Sequence, residues 1–222
     1  MPAAIGLLCM LIGVLAADSA TAADDMAGSQ PLVVVRDADF VTAMPADSQL
    51  LISPRAIEDF LTVLEHTVPD WRALYGAGHH DDGLDDRLFQ LNRDRDERRK
   101  GNEALSRRIT FCWSGTLAPY DHARGGFPVA VGPEFTNTAW GMVRFKPEDL
   151  PSNLTATGAP PVRDRLMDRM TKGKPVDLKV VMTGRLIPEE SVIYDFSHEK
   201  EGQGLIMPVV RVEQVQYLVV EP

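Results

Sequence analysis

The hydrophobic pattern of this chain changes at Arg108, and that switch constrains its fold more than any other feature. Before it, apolar residues recur at helical spacing: Ile57, Phe60, Leu61, Leu64 and Val68 in one segment, Leu84, Leu88 and Leu91 in the next. After it, β-branched and aromatic residues dominate, in runs separated by turn signals. The two periods bury different faces, so one segment does not serve both geometries. The expected fold class is α+β: a mainly helical N-terminal region, residues 23–107, followed by a C-terminal antiparallel β domain, residues 108–222.

Local signals fill in the helical half. Ser53-Pro54 opens the first helix, because serine caps free amide groups and proline fits the first turn. Pro69 ends or redirects it, and Trp71, Leu74 and Tyr75 make a short helical turn before Gly76 and Gly78. The second helix runs from about Leu84 to Lys100, with Phe89 beside its apolar stripe and Asp82 as a candidate cap. Its far end, Arg93 to Lys100, is almost wholly charged and is expected to project into water. Leu32 to Val35 reads as a short strand.

In the β half, strands are expected near 108–118, 127–132, 139–146, 176–187 and 206–220. A helix from Val162 to Lys172, ended by Gly173, separates the third from the fourth, and Glu213-Gln214 interrupts the last, as a bulge would. The order β-β-β-α-β-β is that of the OB-like barrel, although other small barrels and α+β sheets produce the same string.

The first residues concern address rather than fold. An apolar run from Leu7 to Leu15, too short to anchor in a bilayer, closes at the small-x-small site Ala20-Thr21-Ala22. Residues 1–22 therefore read as a signal peptide cut before Ala23, and the expected location is periplasmic or secreted. Cys9 lies between Leu8 and Met10 rather than small residues, which does not fit a lipid anchor. No membrane span is expected after signal removal.

Charge removes one class of partner. Only Asp18 among the 32 acidic residues, and none of the 23 basic ones, lies in the leader, so the mature net charge is about −8. An acidic surface argues against nucleic acid, whose binding relies on basic patches. The mature chain keeps a single cysteine, Cys112, in the strand-like run from Ile109 to Trp113, where a small buried thiol is expected. One thiol makes no internal disulfide, so stability must come from a packed core, for which an apolar content of 44% is adequate.

Three constellations carry potential chemistry. Asn92, Asp94, Asp96 and Glu103 match an EF-hand-like ligand spacing, but Glu97 stands where the loop needs glycine. Four arginines also crowd that stretch, so a solvated helix with pairs such as Asp94 and Arg98 is the better reading. His79-His80-Asp81-Asp82 is the densest metal-capable set, without a defined ligand spacing.

The third is a pair of similar clusters. Tyr120-Asp121-His122 follows the first strand of the β half and Tyr194-Asp195-Phe196-Ser197-His198 the fourth. In an OB-like barrel both loops border the ligand face, so Tyr120, Asp121, His122, Tyr194, Asp195 and His198 form a candidate ligand-binding site. The competing reading is two polar loops with ordinary turn hydrogen bonds.

No nucleophile elbow, P-loop or zinc-protease motif occurs. The expectation is a non-enzymatic binding or interaction protein with no cofactor and no metal, whose partner is an envelope protein or a small-molecule ligand. The alternatives are a metal-dependent enzyme or metal carrier using His79, His80, His122 or His198, and a structural component of an envelope assembly.

Overall fold

A computed structural model of the chain describes residues 29–78, 81–198 and 200–222. The expected leader, its cleavage site and the pair His79-His80 lie outside the described residues. The architecture is mixed α+β, with a large sheet and four helices among the described residues. The strands are β1 (Ser29–Arg36), β2 (Gln49–Leu50), β3 (Arg108–Leu117), β4 (Phe127–Val131), β5 (Thr136–Thr138), β6 (Gly141–Val143), β7 (Lys146–Glu148), β8 (Thr155–Thr157), β9 (Asp177–Leu186), β10 (Val192–Phe196) and β11 (Gly204–Glu221). The helices are α1 (Pro54–Glu65), α2 (Trp71–Tyr75), α3 (Leu84–Arg99) and α4 (Pro160–Thr171).

The hydrophobic switch at Arg108 marks a change of element type, yet the sheet reaches back across it. β1 pairs in parallel with β11 and with β8, and β2 pairs in parallel with β3. Strand pairing runs β1-β8-β4-β3-β9-β11 and returns to β1. This ring is uneven: β9 and β11 pair along most of their length, whereas β8 meets β4 only at Phe127 and Pro128. The expected bulge is present, as a register shift between Val212 and Gln214.

α1 starts as expected, with the Ser53 hydroxyl accepting the Ala56 N–H at 3.3 Å. It stops at Glu65, four residues before Pro69, because His66 adopts a left-handed φ of 65°; Val68 is left exposed. α3 is not capped by Asp82. Asp81 organises that turn instead, accepting the N–H groups of Ala77 and Gly83 and pairing with Arg87 at 2.9 Å. These partners, the Arg87 guanidinium first, hold the Asp81 carboxyl well below the usual carboxylate range.

The main core lies on the sheet face carrying Phe111, Trp113, Leu178, Val180, Met182, Tyr217 and Val219, packed against Ile57, Phe60 and Leu61 of α1 and Leu166 of α4. A smaller cluster covers the other face, where Met44 and Phe40 lie over Val181, Leu218 and Cys112. Among the described residues no helix is long and apolar enough to cross a membrane.

Candidate functional site

The two tyrosine–aspartate clusters are not brought together. Gly115 of β3 stands opposite Leu178 of β9, which stands opposite Val219 of β11; Tyr120 lies beyond that end of the sheet. Tyr194 pairs with Ile206, near the other end of β11. Thirteen residues of strand separate these levels, roughly 40 Å for a straight strand at about 3.3 Å per residue. The expected shared surface is therefore corrected to two separate places.

Each place has ordinary structural work. The Asp121 carboxylate accepts the N–H groups of Ala123 and Arg124, an Asx turn closing the β3–β4 connection. Tyr120 packs edge-on against Phe127, with the Arg163 guanidinium 5.7 Å from its ring centre, and His122 is exposed. Tyr194 and Asp195 do not sit in a loop: they belong to β10, whose Val192, Tyr194 and Phe196 are buried. Asp195 accepts the Phe196 N–H, and His198 is exposed. Among the described residues no three histidine, cysteine, aspartate or glutamate side chains gather as a metal site.

Around Tyr194 the structure overturns a second expectation. Arg95 and Arg99 do not project into water; their side chains are 4% and 2% exposed. Both bond Glu65, Arg95 at 3.1 Å, and Arg99 also reaches Asp96 and the Val192 carbonyl. The Arg95 guanidinium stands 5.0 Å from the Tyr194 ring centre. Burial, reinforced by the Glu65 carboxylate, pushes the Tyr194 hydroxyl far above its ordinary pKa. Asn92 accepts the Tyr194 N–H and donates to its carbonyl, both at 2.8 Å, as a neighbouring strand would. Asp94 accepts from Gln90 rather than pairing with Arg98. This charged network fastens β10 to α1 and α3 and is a structural device.

A different place has the shape of a site. β2 covers one edge of β3 only at Ile109 and Thr110, and β4 covers it only from Gly115 to Leu117. Between them, among the described residues, Phe111 to Ser114 lack a strand on that side, and a cleft of about 190 Å³ opens there. Phe111, Trp113 and Phe145 wall it, with Phe111 stacked on Phe145 at 4.6 Å and Trp113 edge-on to Phe111 at 6.0 Å. Phe40 and Ile52 contribute from the preceding segments. Glu134 and Lys179 supply one charge of each sign. The Glu134 carboxylate accepts the Ser114 N–H at 2.8 Å, and Lys179 donates to the Ser114 hydroxyl at 3.2 Å and pairs with Asp177.

Cys112 lines this cleft and is half-buried rather than buried. Burial, only partly offset by Lys179, pushes its thiol up to about 12, so it is a neutral, weakly nucleophilic group at pH 7. Sequence reasoning missed the cleft because Phe111 and Trp113 read as core. No local signal marks the point where β2 stops and β4 has yet to begin. No family model, curated protein or solved structure matches this chain.

Proposed function

We propose that this chain is an exported, non-enzymatic binding protein of the periplasm or extracellular space, whose ligand seats in the β3 cleft. One observation carries the reading: a cleft of mixed lining opens where the edge of β3 is interrupted, bordered by Phe40, Ile52 and the edges of Phe111, Trp113 and Phe145, with Glu134 and Lys179 as its charged groups. Two exposed apolar residues adjoin it, Ile52 on its wall and Phe135 between the lining residues Glu134 and Thr136. An apolar rim around a small cleft suits a surface meant to be covered. The protonated Cys112 gives no support to a thiol enzyme. Size favours the envelope-protein partner over a free small molecule: about 190 Å³ is well below the roughly 300–1,000 Å³ of whole-ligand pockets.

The leader supports export, and the ring of strand pairings supports an OB-like barrel to which β1 adds a parallel strand. The test titrates isotope-labelled protein with phenol and indole as probes of the aromatic cleft. Saturable shifts confined to Phe111 to Ser114, Glu134 and Phe145 are expected; no saturable shift there overturns the site. Amino-terminal sequencing of the periplasmic fraction should begin at Ala23, and a start at Met1 overturns export.

A further inference from the structure

The open stretch of β3 presents backbone as well as side chains. In the ladder with β9, successive residues turn their N–H and C=O groups to opposite edges. The Thr110 carbonyl accepts the Leu51 N–H at 2.7 Å on the β2 side, and the Ser114 N–H meets Glu134 there. Cys112, midway between them, therefore turns its N–H and C=O to that same side, where no strand among the described residues covers it. The chain treats the outer edge of β10 differently, since Asn92 satisfies both backbone groups of Tyr194. In the β3 gap the Glu134 carboxylate holds the position that a partner strand's carbonyl would take on Ser114.

Trp113, 5% exposed, borders the cleft from the core side. The charges narrow the ligand further. Lys179 is paired with Asp177, which leaves the Glu134 carboxylate as the excess charge, so the cleft disfavours an acidic segment and its apolar lining suits a neutral one. The volume, about 190 Å³, suits a single side chain.

Resting on the binding function proposed above, we infer that the cleft takes an extended, neutral peptide segment of a partner protein. The segment adds as a short strand to β3 between β2 and β4. Main-chain bonds to such an edge supply affinity, and the pocket beside it selects the side chain. One apolar side chain of the segment lies against the edges of Phe111, Trp113 and Phe145, and its backbone meets the N–H and C=O of Cys112.

The test uses three probes on labelled, exported protein: acetyl-Thr-Leu-Thr-methylamide, the same peptide with every amide nitrogen methylated, and 2-methylpropanol as the bare side chain. The readouts are the amide signals of Cys112 and Ser114, the Trp113 indole signal and the rate of Cys112 labelling by a thiol reagent. The unmodified peptide should shift all three signals and slow labelling, and amide methylation should weaken binding at least tenfold. If the methylated peptide binds as well, or only 2-methylpropanol binds, the peptide assignment falls and the apolar binding function stands. If none of the three perturbs these signals at millimolar concentration, and phenol and indole also fail, both readings fall.

Discussion

Replacing Glu65 by glutamine keeps the shape of the side chain and removes the one carboxylate that both Arg95 and Arg99 bond. The three side chains are only 2–4% exposed, so water does not replace the lost partner. Asp96, with its side chain 46% exposed, and the Val192 carbonyl still reach Arg99, whereas Arg95 keeps the face of the Tyr194 ring and a long contact with its hydroxyl at 3.5 Å. Breaking a buried pair from one side costs about 3–5 kcal/mol. That is a large part of the roughly 5–15 kcal/mol that holds a domain folded. At about 2–4 °C per kcal/mol for a chain of this size, Tm should fall by roughly 6–20 °C.

Urea unfolding followed by tryptophan fluorescence and circular dichroism measures the loss. Asp96→Asn, at the rim of the network, should cost about 1 kcal/mol or less. The triple variant Glu65→Leu, Arg95→Met, Arg99→Met should recover most of the stability, because it removes all three buried charges together. A Glu65→Gln variant within about 0.5 kcal/mol of the parent would refute the reasoning, since such a small effect belongs to a solvated surface.

Three further outcomes follow from the geometry. Asn92→Ala leaves the buried Tyr194 N–H and carbonyl unmet, at a cost of about 1–3 kcal/mol, and uncovers the edge of β10; light scattering should report concentration-dependent association, and a strictly monomeric variant of unchanged stability would contradict this. A Cβ on Gly204 would overlap the Trp71 ring, so Gly204→Ala must displace that ring and its 2.6 Å bond to the Trp140 carbonyl. Overpacking of this kind costs about 1–3 kcal/mol, and an unchanged urea midpoint would argue against the contact. The Cys112 thiol is raised from its ordinary 9.0 to about 12 in the fold, so its contribution to stability is full below pH 9 and is lost as pH rises toward 12. Cys112→Ala should reduce the alkaline loss of stability over that window, and an identical pH profile would show that the thiol is not desolvated.

The sequence determined most of the elements. Hydrophobic period, β-branched and aromatic runs and the cap and turn residues between them placed α1, α3 and α4 and the long strands β3, β9 and β11, because each buries one stripe or face and the pattern of that face is local. They also placed the cap at Ser53 and the bulge before Gln214. β10 was missed because Asp195, its one polar residue between buried Tyr194 and Phe196, resembles a turn residue when its neighbours are unknown. Arg95 and Arg99 were misread for a related reason. They continue the stripe of Leu84, Leu88 and Leu91 at helical spacing, so the face was legible, but their burial depends on Glu65, 30 and 34 residues away. Charge predicts water unless a partner is supplied, and only the packing of α1 against α3 supplies it. The fate of the two tyrosine–aspartate clusters was likewise decided by register, which set them at opposite ends of the sheet. The cleft is the furthest from sequence of all. It exists because β2 leaves β3 after Thr110 and β4 joins it only at Gly115, and an unfilled length of strand edge is a property of three segments at once.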